Sequence, residues 1–333
     1  MKYLLSSFIL LFFLNTTLAQ EITETENEKK KYPYIFPIFG QQVQDMGIDF
    51  PYSAGVNVSY VYNEIYLGIS EFGMGINGTD LSKYLNEKTL GFDKVKATSN
   101  SLNLRADLFA LPFLNVYGMF SQVKGSTEVG LQPDFGDGKF PYFGSTVVFD
   151  AIAYGAGATF NYGYKDYFIS IDGNYNATRT DLLKEDIGIY VTSFRFGKKF
   201  NLKKDRFVTF YAGIMGRNFT NHNGNAGSIT INDALPGVDQ QLKDWYDGLS
   251  SGQQLVVQGI AKVINDELGT EVGSGSVLNS TVDYHIKKDL LKKWTFQFGG
   301  QFQLNKRIWI RGEYGVSDYS KFLMTGVVYR FVV

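Results

Sequence analysis

From Trp294 to the C-terminal Val333 the sequence alternates with a period of two. Trp294, Phe296, Phe298, Phe302 and Leu304 interleave with Thr295, Gln297, Gln301 and Gln303. Ile308, Ile310, Tyr314 and Val316 interleave with Arg311, Glu313 and Ser317, and the final FLMTGVVYRFVV sets Leu323, Val327, Tyr329 and Phe331 against Arg330. Successive side chains of a strand point to opposite faces, so runs of about ten residues with one apolar-aromatic face and one polar face suit a wall with lipid outside and water inside. Every backbone N–H and C=O in lipid needs a partner, which leaves helices and closed barrels as spanning structures. After the N-terminus no segment has the length of a membrane helix. The expected fold is all-β: a transmembrane antiparallel up-and-down barrel.

The N-terminus agrees with export. Met1-Lys2, the apolar run Tyr3–Leu14 broken only by Ser6 and Ser7, and Thr17-Leu18-Ala19 before Gln20 have the pattern of a signal peptide cleaved after Ala19. The run is shorter than the roughly 18 apolar residues of a membrane anchor. Composition narrows the rest. With no cysteine, disulfide and metal-thiolate frameworks are excluded. A net charge of −1 argues against nucleic-acid binding. The 36 Gly, 28 Phe and 22 Tyr beside only 7 Pro suit a β-rich chain.

The organisation follows from these limits. Residues 1–19 are the signal peptide, 20–31 a mobile charged tail, and 32–54 an aromatic, proline-rich segment that serves as a plug or supplies a first strand. The barrel occupies 55–333. Its candidate strands are 55–62, 64–76, 99–110, 113–124, 146–161, 166–176, 187–200, 206–219, 293–304, 306–317 and 321–333. Short links at Tyr62–Glu64, Leu111-Pro112, Gly163–Lys165, Asn201–Asp205 and Asn305-Lys306 fall on one side, with long ones opposite, as short periplasmic turns and long external loops require. Eleven strands is an odd number, and single-chain bacterial barrels have even ones. Twelve is the expected count, with ten and fourteen as its neighbours; Tyr34–Asp49, Ser228–Asn232 or Val277–Ile286 would supply the difference. The long external loop 221–292 carries helical spacing over Asp239–Trp245 and Gln253–Leu268, with Gly269 as a C-terminal cap.

Few residues suggest chemistry. Gly73-Met-Gly75-Ile-Asn-Gly78 matches a dinucleotide fingerprint, but no βαβ unit surrounds it, and glycines at a strand bend or bulge explain it better. His222 and His285, with Asp233 and Asp283, lack the convergence of a metal site. Ser280, Asp283 and His285 form the sole hydrolase-like set, on ordinary strand spacing. No catalytic residue, metal or cofactor is expected. The stronger candidates are the polar-parity residues Asn103, Arg105, Asp107, Asp172, Asn174, Arg195, Gln297, Gln301, Arg311 and Glu313, which would line the lumen and either pair across it or border a water path. Trp294, Phe296, Tyr314 and Tyr329 would form the lipid-facing girdle.

At Leu102–Gly118, LNLRADLFALPFLNVYG, and Tyr34–Gly40, YIFPIFG, the chain resembles uncharacterised outer-membrane proteins of Bacteroidota type. That resemblance implies a Gram-negative outer membrane, a barrel, and lipid, lipopolysaccharide and the barrel-assembly machinery as surroundings; it carries over no functional residue. The N-terminal segment and helical outer loop are loosely similar in architecture to long-chain fatty-acid transporters. The function expected is passive passage of a small solute, apolar or polar. The rival is a structural or adhesion barrel with a packed lumen, whose outer loop binds a partner.

Overall fold

The computed structural model describes residues 31–48, 50–134, 140, 142–220, 225–230, 238–268 and 281–333. The signal peptide, residues 20–30 of the tail, His222, Asp233, Gly269 and Ser280 lie outside them. Ten strands close into an antiparallel barrel: β1 (Ala54–Ile76), β3 (Phe92–Leu111), β4 (Leu114–Leu131), β5 (Phe143–Tyr164), β6 (Tyr167–Thr180), β7 (Ile187–Asn201), β8 (Phe207–Phe219), β11 (Trp294–Gln303), β12 (Ile308–Ser317) and β13 (Ser320–Phe331). β13 pairs back onto β1 from Ala54↔Phe331 to Ile65↔Ser320, which closes the ring. Three further described strands, β2 (Thr79–Asp80), β9 (Asn225–Thr230) and β10 (Thr281–Leu290), stand outside it. No described helix is long and apolar enough to cross a membrane.

The ring therefore holds ten strands, not twelve. The expected turn at Tyr62–Glu64 does not exist: Asn63 pairs with Ser99 on one side and Phe322 on the other, in the middle of one continuous β1. The other four short links are turns, and they share an end with Ala54 and Phe331, the residues where β1 begins and β13 ends. The opposite end carries the long connections and also one tight hairpin, Ser317–Ser320. We call these the turn end and the loop end. Tyr34–Asp49 adds no strand; it contains the short helix α1 (Gly40–Asp45) and crosses the turn end, where Ile38 N–H donates to the Ala110 carbonyl at 3.0 Å. Phe50 meets Phe109 edge-to-face at 5.1 Å, just inside that mouth.

Outside, the ring wears an apolar belt. Val58, Tyr60, Leu102, Leu104, Phe120, Ile169, Phe194, Phe210, Phe296, Ile310 and Val327 are all exposed large apolar residues, an arrangement stable only against lipid. The belt ends in charge. Towards the loop end Glu64 pairs with Lys321 at 3.8 Å and Lys96 with Glu128 at 2.9 Å; at the turn end Arg307 donates to Tyr329 Oη at 3.0 Å. Trp294, Phe296 and Tyr329 sit in the belt as expected.

The two segments suspected inside the long loop overlap strands, β9 and β10, that stand outside the ring; residues 231–232 and 277–280 of those segments lie outside the described residues. Beyond Ile65 the edge of β1 left free by β13 is taken by β10, from Leu67↔Leu290 to Ile76↔Val282, and β9 pairs with β10. β9 in turn reaches the β6–β7 connection, where Lys184 N–H donates to the Ala226 carbonyl at 2.9 Å. The outward parity of β10 reads Asp283, His285, Lys287, Asp289, so this wall rises beyond the lipid belt. Two helices complete the loop end, α3 (Val238–Asp247) and α4 (Ser251–Leu268), with α2 (Glu87–Leu90) between β2 and β3. α4 docks through Ile264 and Ile260 onto Ile76, Leu81 and Val282. Of the fingerprint glycines, Gly73 and Gly75 lie within β1, and Gly78 (φ +85°) follows Asn77 (φ 50°) in the turn to β2, where left-handed backbone favours these residues.

Candidate solute-binding lumen

The ring and its β9–β10 extension enclose a cavity of about 1080 Å³. It runs from Lys165 and Asp166 at the turn end to Leu182, Leu183 and Ile286 at the loop end. Nine of the ten lumen candidates line it: Asn103, Arg105, Asp107, Asp172, Asn174, Arg195, Gln301, Arg311 and Glu313. Gln297 does not. It is 1 % exposed and sunk in the wall, its amide donating to the Ile214 carbonyl at 3.3 Å, while the Phe322 ring lies over its neighbour Gly315.

The turn-end half of the lumen is polar and built by one repeated device. Two long side chains bridge an intervening strand over a glycine, whose missing Cβ leaves the room. Arg330 on β13 reaches Asp107 on β3 at 3.0 Å across Gly55 of β1. A Cβ on Gly55 would lie 3.1 Å from both Arg330 Nη1 and Asp107 Oδ1. Tyr211 on β8 donates to Glu313 on β12 at 2.8 Å across Gly299 of β11. Tyr117 on β4 donates to Asp172 on β6 at 2.9 Å, passing Gly157 of β5.

Around these bridges each carboxylate is saturated. Asp107 also accepts from Asn115 at 2.8 Å, and Asn115 from Arg105 at 3.0 Å. Asp172 also accepts from Thr159 at 2.6 Å and Asn174 at 3.0 Å. Glu313 also accepts from Arg311 at 2.8 Å and Arg195 at 3.2 Å. Arg105 lies 3.5 Å over the Tyr117 ring. Arg330 donates to the Tyr52 carbonyl at 2.7 Å and sits 4.9 Å from the rings of both Phe109 and Trp309, tying the last strand to the chain that enters the first. Most of these bonds run along the wall, between strands one or two apart, and leave the cavity between them. One crosses it: Arg217 on β8 donates to Asn63 on β1 at 3.1 Å and to Ser320 at 3.4 Å.

The loop-end half is mainly apolar, with Ser99, Thr127, Asn176, Thr178 and Thr180 interspersed. Ile65, Leu67, Val123, Val147, Phe149, Ile187, Ile189, Val191, Phe219 and Leu290 line it, and Leu67, Val95 and Leu290 form a buried cluster with Phe219 against it. Among the cavity's described lining residues, eight are Lys or Arg and four Asp or Glu. The lumen is thus electropositive in a chain of net charge −1. In the upper half the cations are Arg217 and Lys288, and neither has a carboxylate partner there.

Tyr117, Tyr211, Arg217, Arg330, Asn63 and Lys288 were not among the sequence candidates. Arg330 sits on the polar parity of its strand and could have been added. Tyr117 and Tyr211 are aromatics that turn inward, against the girdle rule. Asp283 and His285 share the outward face of β10, but Asp283 is bonded to Ser228 and pairs with Lys184 at 4.0 Å. No hydrolytic pair forms between them.

No family model and no curated protein matches the chain. Solved structures similar to it include the β domain of the Bordetella autotransporter BrkA (10% identity, 84% of this chain, 100% of that one, TM-score 0.36). The translocator domain of NalP from Neisseria meningitidis (11%, 87% and 92%, 0.36) and the Ralstonia pickettii toluene transporter TbuX (8%, 84% and 90%, 0.29) are further examples. These likenesses are too distant to bear on the lumen. The closed ring, its apolar outer belt and its polar inner wall make the chain a membrane-spanning β-barrel.

Proposed function

We propose that the barrel is a passive, non-catalytic conduit for a small apolar or amphipathic solute in a Gram-negative outer membrane, reached after cleavage near Ala19 and insertion by the barrel-assembly machinery. The loop end faces outward through lipopolysaccharide, and the turn end faces the periplasm. The observation that carries this reading is the division of one cavity into a mainly apolar outer half and a hydrogen-bonded polar inner half. Its volume is that of a small-molecule site, and an aliphatic lining rewards transfer of apolar surface from water.

Cells expressing the chain should take up N-phenylnaphthylamine faster than controls, because a lipopolysaccharide leaflet resists such probes. Val191→Arg should slow that uptake. The same protein in planar bilayers should show ionic steps well below those of a water-filled porin. Large steps without probe uptake would make it a hydrophilic pore. Silence in both would favour the structural or adhesion barrel, to which the Arg217 cross-lumen bonds already lend some support.

A further inference from the structure

We propose that Lys288 is the head-group site for an amphipathic anion, an alkyl or aryl carboxylate whose tail lies on the aliphatic outer wall. The proposal rests on the apolar-vestibule reading above and names the solute class. Lys288 stands on the inner face of β10 between Ile286 and Leu290, opposite Ile69 of β1. The residue is half-buried and lines the cavity, and no described acceptor lies within hydrogen-bond reach of its ammonium.

Lysines close to Lys288 in the chain are paired. Lys287, next to it, pairs with Glu71 at 2.8 Å, and Lys293 pairs with Asp289 at 3.4 Å. In the inner half Asp107, Asp172 and Glu313 already hold a cation or several donors, and Asp166 lies at the far, turn end of the cavity. An ammonium set on an apolar wall without a partner is poorly solvated, and a ligand that brings the missing charge compensates it on binding. The surroundings select the rest of the ligand. Leu67, Leu290 and Phe219 pack together on the same wall, Leu290 two residues along β10 from Lys288, and they offer nothing to a polar tail. A hydrated inorganic anion would satisfy the charge and waste the wall; a neutral hydrocarbon would do the reverse.

The test compares two ligands of one shape, octanoate and 1-octanol, by calorimetry on the full-length folded protein in nanodiscs, with empty nanodiscs subtracted. Octanoate should bind the wild type about tenfold or more tighter than octanol. Lys288→Met should abolish the difference while leaving octanol affinity in place, and Lys288→Arg should retain it. Since Lys288 has no partner among the described residues to orphan, both variants should fold, which heat-modifiable gel migration checks. Octanol binding with octanoate no tighter, or octanoate unaffected in Lys288→Met, would overturn the head-group site and leave the vestibule standing. Failure of both ligands to bind would remove the vestibule, and this proposal with it.

Discussion

Arg330 and Asp107 show what single residues contribute here. Their side chains are 3 % and 6 % exposed, and Gly55 between them leaves the gap they close. Breaking a buried ion pair from one side strands a charge, at about 3–5 kcal/mol, whereas removing both partners costs far less. Arg330→Met should therefore lower stability by about that much in urea unfolding from vesicles, and Asp107→Leu added to it should restore part of the loss. Strict additivity of the two would show that the pair is not coupled. Gly55→Ala should cost less, about 1–3 kcal/mol, because the pair has only to widen. None of these bridges was legible in the sequence. Parity assigns Arg105, Asp107 or Glu313 to a face, but a partner two strands away depends on closure and register. Tyr117 and Tyr211 misled for another reason: the faces of β8 carry Phe210 and Ile214 outside and Tyr211 and Met215 inside, so hydrophobicity alone cannot orient it.

At the scale of elements, β1 was the hardest to read and explains the strand count. Tyr62-Asn63-Glu64 has turn-like polarity, yet its residues are polar for different reasons: Asn63 faces inward to accept from Arg217, and Glu64 faces outward to Lys321. The length of β1 then lets it serve β13 low down and β10 higher up. The strands β9 and β10 and both helices α3 and α4 were visible as local patterns, because alternation and helical spacing need no knowledge of partners. Their docking was not visible. Ile264 is the buried contact of α4 with the loop-end rim, so Ile264→Asp should undock that helix without touching the ring. Limited proteolysis should then cut within 238–268 faster than in the wild type, while the core still migrates as a folded barrel on unheated gels. Equal protection in both proteins would mean that Ile264 does not hold α4 down. Removing residues 223–277 should raise ionic conductance if the helices and β9 narrow the outer mouth, and leave it unchanged if they only decorate it.

For the whole molecule, the sign of the lumen matters more than the sign of the chain. Twice as many lining cations as anions should draw anions into whatever current the barrel passes, so a salt gradient across a planar bilayer should give a reversal potential of anion-selective sign. Lys288 adds a pH dependence that can be assigned. Burial holds its ammonium below the ordinary lysine range of about 10.4, and only the protonated form attracts a carboxylate. Octanoate affinity should thus fall as the pH rises, starting at a lower pH than for an exposed lysine. Other groups facing this region can be told apart from Lys288. Arg217 is unchanged in both Lys288 variants, so a fall caused by its guanidinium would persist in them. Burial pushes the Tyr284 phenol up, and its hydroxyl donates to the Leu182 carbonyl at 2.6 Å, so it stays neutral. The ligand's own carboxyl titrates only on the acid side. Lys288→Met should lose the alkaline limb together with the affinity, and Lys288→Arg, which cannot deprotonate in this range, should bind with a flat profile to high pH. An alkaline fall that persists in Lys288→Arg would place the titrating group elsewhere, and Lys288 would then not be the residue that holds the anion.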